Sequence, residues 1–323
     1  MKAAVITRYG SPDVIAIRDV PKPSPEAGEV LVKVHATTVN RTDDGVLNPH
    51  LIGRVLYGWL RPWRTIFGMD FAGVVEAAGG EVTSLKPGDR VFGMCPFLKN
   101  GAHAEYVCVP ENGAIALMAP NTPFDEAVVC EGAFYANTSL KQFGLGPGHK
   151  ILIYGASGAI GSAAVQLAKS YGAEVTAVVA APHLDVARWL GADHVVDYTG
   201  EDFTRIGERF DFVFDAVGKT TFFHCRKLLK PDGVYRATDI GPFGENLVLI
   251  LWSLMARNNR VAVPVPARGS GHAFVAFLKA RMEAGEFRAL IDRKYSLDAI
   301  ADAYRYVATG QKVGIVVINV ASA

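Results

Sequence analysis

Cysteine is scarce and scattered in this sequence. The four cysteines among 323 residues lie at positions 95, 108, 130 and 225, and no two of them form a C-x-x-C pair. Isolated cysteines indicate neither a disulfide framework nor a structural zinc lobe. Half of the residues are hydrophobic and a fifth are charged, which is typical of a globular protein with an apolar core.

An excess of charge of one sign is also absent. The 33 Lys and Arg residues nearly balance the 32 Asp and Glu residues, so the net charge is +1, and no basic run occurs. Domains that bind nucleic acids usually carry a basic patch or stripe. We therefore expect a small-molecule substrate and no nucleic-acid partner.

Long apolar runs are missing as well. The longest, at 247–256, has about half the length of a membrane-spanning helix, and we expect a core or interface helix there. The first residues, MKAAVITRYG, enter a strand pattern at once and do not resemble a signal peptide. These features predict a cytoplasmic protein with no membrane span.

The length predicts two domains, because a single core rarely serves so long a chain. Residues 1–120 carry short strand patterns separated by Pro, Gly and Asp turns, which indicates a β-rich, barrel-like unit. A helix pattern covers 125–143, another covers 271–284, and a final strand is predicted at 314–320. That strand has no place in a finished parallel sheet, so we expect it to return to the N-terminal unit. The strands predicted in this unit are 2–7, 30–36, 71–77 and 90–93.

The segment 150–172, KILIYGASGAIGSAAVQLAKSYG, combines a buried strand, a glycine turn and a helix that stops at Gly172. Free N–H groups at a helix N-terminus attract anions, and glycines let a pyrophosphate approach the backbone. The turn therefore predicts a dinucleotide site. We expect the cofactor to contact Gly155, Ala156, Ser157, Gly158, Ala159, Ile160 and Gly161.

Strand and helix patterns alternate after this turn. The strand patterns are at 174–180, 194–196, 210–217, 233–237 and 261–265, and the helix patterns are at 181–191 and 202–209. This alternation predicts a parallel, doubly wound sheet. Ligands of such sheets lie at the carboxyl ends of the strands. We therefore expect the dinucleotide to contact Val217, Gly218, Thr238 and Asp239.

Several segments, in the same order, resemble the medium-chain dehydrogenase/reductases, and specifically their zinc-independent quinone oxidoreductase branch. They are TVNRTD at 38–43, GMDFAGVV at 68–75, LKPGDRVFG at 85–93, GAHAEY at 101–106, LKPDG at 229–233, IDRKYSL at 291–297 and TGQKVG at 309–314. The resemblance covers nearly the whole chain. It implies an α/β protein in which a GroES-like β-barrel domain, 1–123 and 268–323, is split around a Rossmann domain, 124–267.

Zinc ligands are absent from the expected positions. In the zinc-dependent branch a Cys lies where this chain has 39–41, and a His-Glu pair follows a Gly where it has Gly68-Met69-Asp70. The set Cys95, His103 and Cys108 matches no zinc spacing. We therefore predict no metal. Hydride transfer without a Lewis acid favours activated acceptors, such as quinones and α,β-unsaturated carbonyls.

An acid at the end of the second strand of the parallel sheet is also absent. NAD-specific folds use such an acid to bind the ribose 2′-hydroxyl, so its absence favours NADPH, with NADH as the alternative. The resemblance implies a Ser and a Lys or Arg where this chain has Ala180 and Pro182. The remaining candidates for the 2′-phosphate are His183, Arg188, Tyr198 and Lys312.

The resemblance places Asn40 and Asp43 near the nicotinamide, and we expect Asn40 to hydrogen-bond a substrate carbonyl. Tyr135 occupies a position where the family commonly has a Thr beside the cofactor, and it is a candidate proton donor, as are Tyr57 and water. The segment 45–66 mixes apolar and aromatic residues with three arginines, so it is either a substrate lid or a partner surface. The lid interpretation assigns substrate contacts to Arg54, Tyr57 and Trp59.

The sequence thus predicts a zinc-independent, NADPH-dependent quinone or enone reductase, which we expect to be a homodimer. It shows no evident acid–base pair. Two alternatives stay open at this point: a non-enzymatic NADPH-binding protein of crystallin-like or regulatory type, and a zinc-free NAD(P)-dependent alcohol dehydrogenase.

Overall fold

The computed structural model describes residues 1–49, 51–96, 99–238, 248–249, 252, 255, 261–262 and 269–320. The chain separates into two compact units. The first unit consists of Met1–Glu131, Arg268–Glu283 and Arg288–Ala323, and the second of Gly132–Ala267 and Ala284–Phe287.

The strands of the described chain are β1 (Lys2–Ile6), β2 (Ile15–Asp19), β3 (Glu29–Val39), β4 (Asp70–Ala78), β5 (Arg90–Met94), β6 (Tyr106–Pro110), β7 (Ala114–Leu117), β8 (Lys150–Tyr154), β9 (Glu174–Val179), β10 (His194–Asp197), β11 (Phe210–Asp215), β12 (Leu229–Ala237), β13 (Val261–Ala262), β14 (Ile291–Ser296) and β15 (Ile315–Asn319). The helices are α1 (Arg41–Leu47), α2 (Leu51–Tyr57), α3 (Phe124–Ala127), α4 (Cys130–Phe143), α5 (Ala159–Ser170), α6 (Leu184–Trp189), α7 (Phe222–Cys225), α8 (Ser270–Glu283) and α9 (Ile300–Ala308).

The first unit is built around β3, a strand of eleven residues. Its main sheet has the order β14-β15-β3-β4-β5-β7, with β6 also paired to β3, while β1 and β2 form a separate antiparallel pair. The predicted return of the final strand is confirmed, because β15 runs antiparallel to β3 with Val316 opposite Val39. The last residues of β3 are therefore held between β15 and β4.

Apolar side chains of β3 explain its central place. Val30, Val32 and Val34 are buried, and they point to one face because side chains alternate along a strand. They pack in one cluster with Phe71 of β4. Burying one such valine contributes roughly 1.5–3 kcal/mol. The alternating valines of β3 thus require that one face of the strand is covered.

The second unit contains a six-stranded sheet in the order β10-β9-β8-β11-β12-β13, with every described pair parallel. The predicted α/β class, with a doubly wound sheet in one unit and a GroES-like β-rich fold in the other, is confirmed. The strand order reverses between β8 and β11. Open sheets of this type bind ligands at such a reversal, outside the carboxyl ends of the strands.

Several local predictions were wrong. The helix predicted over 125–143 is two helices, α3 and α4, because the chain leaves helical geometry at Val128. The helix predicted over 202–209 is a three-residue turn, Phe203–Arg205, in which Asp202 caps the N–H of Thr204. The strands β2, β6, β7 and β14 were not predicted, since they are short and their apolar patterns are weak.

No helix in the described part of the chain is long and apolar enough to cross a membrane. Most of 247–256, where a core or interface helix is predicted, lies outside the described residues.

Candidate functional site

The glycine turn joins β8 to α5 at the carboxyl end of the parallel sheet. Gly155 adopts the left-handed conformation, with φ of 76°, which lets the chain turn sharply after β8. Gly158 is the N-cap of α5, so the cap contributes no side chain to pair with the first N–H groups of the helix. Unpaired donors and the helix dipole together attract anions. The backbone here is therefore suited to a pyrophosphate, in a turn completed by Ala156, Ser157, Ala159 and Ile160.

The three glycines of the turn have different reasons to be glycine. A Cβ on Gly161 would lie 2.2 Å from the carbonyl oxygen of Gly155, and one on Gly155 would lie 2.6 Å from Val217. A Cβ on Gly158 would meet nothing closer than the Gly155 oxygen at 3.5 Å. Gly155 and Gly161 are thus required by packing, whereas Gly158 leaves open space at the start of α5.

Asp215, which the sequence reasoning missed, holds the loop after β11. Its buried carboxylate accepts hydrogen bonds from the backbone N–H groups of Val217 (3.0 Å), Gly218 (2.8 Å) and Thr220 (2.8 Å). Burial raises the pKa of Asp215, and these donors oppose that shift. The backbone N–H of Thr238 donates to the Asp215 carbonyl oxygen at 3.0 Å.

Asp215 therefore brings three predicted residues to one place. Val217, Gly218 and Thr238 lie at the ends of β11 and β12, and Val217 packs against Gly155 of the glycine turn. Asp239, the fourth residue predicted for this edge, lies outside the described residues. One feature of the sequence could have indicated the role of Asp215: an aspartate ends the apolar run FDFVFD directly before a turn.

No acid ends β9, whose last residue is Val179. The backbone N–H of Tyr198 donates to the Val179 carbonyl at 3.1 Å, and the Tyr198 ring lies 5.7 Å from that of Tyr154. His183 ends the turn that follows β9. Arg188 is paired with Asp185 at 2.7 Å. His183 and Tyr198 are thus both near the carboxyl end of β9.

Lys312 belongs to the first unit, whereas His183 and Tyr198 belong to the second. Its Nζ donates to the carbonyl oxygen of Gly314 at 2.7 Å. Burial lowers the pKa of Lys312 to about 8, and the carboxylates of Glu131 and Asp292 oppose that shift. Lys312 therefore lies near two carboxylates of its own unit and near the guanidinium of Arg41, which lowers its pKa further.

A buried polar cluster forms where β3 ends, and we call Thr38, Asn40, Asp43, Asp70 and Glu131 the polar cluster. The Asn40 amide donates to Thr38 Oγ1 at 2.9 Å and to Glu131 Oε2 at 2.7 Å. The backbone N–H of Glu131 donates to Asp70 Oδ1 at 2.8 Å, and Thr38 Oγ1 donates to Asp70 Oδ2 at 3.1 Å. All five residues are buried. They form one connected network.

Asn40 also begins α1. Its backbone N–H donates to Asp43 Oδ2 at 2.8 Å, which ties the first turn of the helix to its N-cap residue. Both amide hydrogens of Asn40 are already used by Thr38 and Glu131. Its Oδ1 forms no hydrogen bond of ordinary geometry with the described residues. Asn40 can therefore donate to a substrate carbonyl only if one of its two acceptors releases a hydrogen.

The acids of the polar cluster hold protons unusually tightly. Burial raises the pKa of Glu131 and that of Asp43 to about 7 each, and it raises the pKa of Asp70 well above its usual range. Negative charge on neighbouring acids adds to the shift, while the Lys312 ammonium lowers the pKa of Glu131. Groups with a pKa near 7 exchange protons at neutral pH. The sequence indicated no acid–base pair, and the structure brings these three acids together around Asn40.

His103 fixes the backbone beside this cluster. Its Nε2 lies 2.8 Å from the Thr38 carbonyl oxygen, which can only accept, so Nε2 carries the hydrogen. Nδ1 then accepts from the Tyr304 hydroxyl at 3.3 Å. Burial lowers the pKa of His103 to about 4, so the ring is neutral at pH 7. Gly68 is required here, since a Cβ would lie 2.4 Å from the His103 ring.

The residues predicted for substrate binding fall into two groups. Burial, together with the charges of Glu131 and Asp43, raises the pKa of Tyr57, so Tyr57 lies near the polar cluster. Arg54 stands 5.2 Å from the ring centre of Tyr9, and Trp59 is 56% exposed. Neither of these two contacts the polar cluster in any described interaction.

Tyr135 lies on α4 in the second unit. Its carbonyl oxygen accepts from Ser139 Oγ at 2.9 Å, and its ring meets Phe134 edge-on at 6.1 Å. Glu131 and Asp70, the other two acids of the polar cluster, were not singled out from the sequence. Both stand in segments that the sequence singled out, the predicted helix 125–143 and GMDFAGVV, but neither segment indicates that the two would meet.

A zinc site does not fit the described side chains. Within the described ranges, no group of three or more His, Cys, Asp or Glu side chains is arranged to hold a metal ion. Burial raises the pKa of Cys95 to about 12, which disfavours the thiolate that binds zinc. His103 uses both ring nitrogens in hydrogen bonds.

Two family patterns match the chain. The pattern described as "Alcohol dehydrogenase GroES-like domain" matches residues 26–119, and the pattern described as "Zinc-binding dehydrogenase" matches residues 190–318.

Relatives extend the similarity to the whole length. A 2-methylene-furan-3-one reductase of Solanum lycopersicum is 31% identical over 99% of this chain and 79% of its own. A chloroplastic NADPH-dependent alkenal/one oxidoreductase of Arabidopsis thaliana is 30% identical over 98% of this chain and 79% of its own. The solved structure of the quinone oxidoreductase from Coxiella burnetii superposes with a TM-score of 0.86, at 26% identity, over 99% of both chains.

Proposed function

The chain belongs to the medium-chain dehydrogenase/reductase superfamily as a quinone oxidoreductase-like oxidoreductase, and we propose that it reduces quinones or α,β-unsaturated carbonyls with NADPH and without zinc. The polar cluster carries this proposal. It places an amide donor beside acids that are partly protonated at neutral pH, which is what carbonyl reduction needs when no metal polarises the oxygen.

The glycine turn is the part of the chain that we propose holds the cofactor pyrophosphate. When bound, NADPH supplies a hydride. The N–H groups at the start of α5 pair with the phosphate oxygens, because the cap residue Gly158 has no polar side chain that could accept from these donors instead. We propose NADPH rather than NADH because β9 ends without an acid and because His183 and Tyr198 lie at its end.

Asn40 binds the substrate oxygen, and Glu131 supplies the proton. Reduction of an enone at its β-carbon leaves negative charge on the carbonyl oxygen, and the α-carbon then takes a proton. Asn40 stabilises the negative oxygen with one amide hydrogen but has no proton to give. Protonated Glu131 gives up its proton and becomes a carboxylate, which accepts the other Asn40 hydrogen more strongly. Tyr57, Tyr135 and water are the alternative donors.

The test is steady-state oxidation of NADPH with a panel of quinones, enones and simple alcohols or ketones. We expect turnover with quinones or enones, no more than one-tenth of that rate with simple carbonyls, and NADPH binding about tenfold tighter than NADH, or about 1.4 kcal/mol. Metal analysis should find no stoichiometric zinc. One zinc per chain, or turnover confined to simple alcohols, would contradict the proposal. Equal affinities would show that His183 and Tyr198 do not bind the 2′-phosphate of the cofactor.

We also propose a cytoplasmic homodimer, as expected from the sequence. Sedimentation equilibrium of the purified protein measures the oligomeric state directly.

A further inference from the structure

Four exposed large apolar side chains lie close together in sequence, on α2 and the turn after it. We call residues 58–64, which follow α2, the tryptophan turn. In this turn Leu60 is 83% exposed, Trp63 72% and Trp59 56%, and on α2 Val55 is 60% exposed. Single exposed apolar residues are common on protein surfaces, but a group of this size marks an interaction site.

The backbone of the tryptophan turn is well anchored. The Tyr57 carbonyl accepts from the N–H of Trp63 at 2.8 Å, and the Gly58 carbonyl accepts from the Tyr9 hydroxyl at 2.6 Å. Gly58 has a φ of 126°, and a Cβ there would lie 2.0 Å from the Arg61 carbonyl oxygen. The chain after the turn is tied to β1, because Thr65 accepts from the N–H of Ile6 at 2.7 Å. The folded backbone therefore holds the indoles and Leu60 in solvent.

The charged residues of the segment that carries the tryptophan turn are of one sign. The segment 45–66 contains Arg54, Arg61 and Arg64 and no Asp or Glu, in a chain whose total charge is +1. Arg61 and Arg64 are exposed beside the tryptophans. An occupant of this surface must therefore offer both an apolar phase and negative charge.

We propose that the tryptophan turn docks the protein on the surface of an anionic lipid bilayer. Trp59, Leu60 and Trp63 enter the interfacial region, where tryptophan is favoured because its ring is apolar and its N–H is polar. Arg61 and Arg64 lie against the phosphate head groups. An acidic protein would satisfy the arginines but gives no reason for Leu60 to project into solvent. A closed substrate lid would turn the indoles inward. This proposal does not rest on the proposed enzymatic function.

The experiment measures binding of the full chain to vesicles by co-sedimentation. We expect the wild-type protein to bind vesicles of phosphatidylcholine and phosphatidylglycerol at least about tenfold more tightly than vesicles of phosphatidylcholine alone, with affinity falling as salt is added. Tryptophan emission should shift to shorter wavelength on binding. The variants Trp59→Ser with Leu60→Ser, and Arg61→Gln with Arg64→Gln, should each lower the affinity about tenfold or more.

Matched controls come from elsewhere in the chain. Trp189→Ser removes a tryptophan that is 52% exposed, and Arg205→Gln removes an arginine whose side chain is 85% exposed. Neither control should change vesicle binding. Circular dichroism and the melting temperature show that each variant folds, and the arginine pair decides the outcome if the serine pair does not fold.

Three results would overturn the proposal. The first is absence of binding to the anionic vesicles, or equal binding by the turn variants and the wild type. The second is a wild type that is dimeric but does not bind vesicles, together with a Trp59→Ser, Leu60→Ser variant that is monomeric. In that case the turn is a contact between two copies. The third is a raised KM for every acceptor, again without vesicle binding, which would make the turn a substrate lid. Failure of NADPH oxidation would overturn the proposed function and leave the vesicle result standing.

Discussion

At the scale of single residues, two substitutions at Gly158 test cofactor binding separately from packing. Because a Cβ at this position meets only ordinary contacts, Gly158→Ala should preserve the fold. It should change the NADPH affinity by less than about threefold. Gly158→Asp places a carboxylate where the pyrophosphate is proposed to bind. It should raise the Kd for NADPH about a hundredfold or more, or about 2.7 kcal/mol. Fluorescence titration measures both, and equal affinity of the Asp variant would show that the pyrophosphate binds elsewhere.

Asn40 and Tyr135 can be ranked by substitution. Asn40→Ala should lower kcat/KM for an enone about ten- to hundredfold, since it removes one polar contact of the transition state. Tyr135→Phe should lower kcat/KM by a smaller factor. The exposed Asn48, at the other end of α1, is a matched control whose change to Ala should leave the rate intact. A loss above a thousandfold in Tyr135→Phe, with NADPH affinity unchanged, would make Tyr135 the proton donor instead.

Glu131 has a distinct kinetic signature. In the wild type, kcat/KM for an enone should fall as pH rises through about 7, because the proposed donor loses its proton there. Glu131→Gln keeps an acceptor for Asn40 but cannot titrate. It should lower kcat/KM about tenfold at pH 6 and flatten the profile between pH 6 and about 8. If the decrease of kcat/KM near pH 7 persists in Glu131→Gln, another group is responsible for it.

At the scale of elements, the loop after β11 depends on the strand that precedes it. Asp215 accepts three backbone hydrogen bonds from this loop, and Asp211, in the same strand, accepts from the backbone N–H of Lys150 and from Lys230. The two aspartates thus support opposite ends of β11. A change at Asp215 affects the loop beside the glycine turn, while a change at Asp211 does not reach it directly.

Asp215→Asn should therefore weaken NADPH binding. The amide N–H of the new Asn would face either the backbone donors of Val217 and Gly218 or that of Thr220. We therefore expect the free energy of unfolding to fall by about 1–3 kcal/mol and the Kd for NADPH to rise about tenfold. Asp211→Asn should lower stability as well, but it should leave the Kd unchanged. Chemical denaturation and cofactor titration of both variants make the comparison. An unchanged Kd in Asp215→Asn would show that the loop does not touch the cofactor.

At the scale of the whole molecule, the buried acids make folding depend on pH. The unfolded chain releases the Glu131 proton near pH 4.5, but the folded chain holds it until about pH 7. The folded state therefore binds more protons across this window, and stability falls as pH rises through it. Asp43 and Asp70 act in the same direction. Lys312 acts at higher pH and with the opposite sign, because its lowered pKa makes stability rise between about 8 and 10.5.

We thus expect the melting temperature to fall between pH 5 and about 7.5, with a contribution from Glu131 on the order of 3 kcal/mol. Glu131→Gln should reduce this slope, whereas Glu81→Gln, at an exposed position, should not. Differential scanning calorimetry across this range tests the sign. A melting temperature that rises with pH would mean that the cluster is ionised in the folded protein.

The class of the second unit could be predicted because its signals are local. A strand, a glycine turn and a helix stand within 150–172, and the alternation after them repeats the same short-range pattern. Packing adds the reasons behind particular residues, such as the 2.2 Å approach that excludes a Cβ at Gly161. The return of the last strand to the N-terminal unit was also predictable, since a finished parallel sheet leaves no place for it, but its pairing with β3 was not.

The polar cluster could not be predicted in this way. Asn40 and Glu131 are 91 positions apart, and Asp70 and Glu131 are 61 apart. No periodicity connects residues at such separations, and an acid in a helix pattern looks the same whether it faces solvent or another acid. The sequence by itself determined the fold class and the backbone turn suited to a pyrophosphate, because local propensities and spacing act over a few residues. Tertiary structure alone decided which acids meet beside Asn40 and which aromatics stay in solvent, because burial and proton affinity depend on neighbours that are distant in the chain.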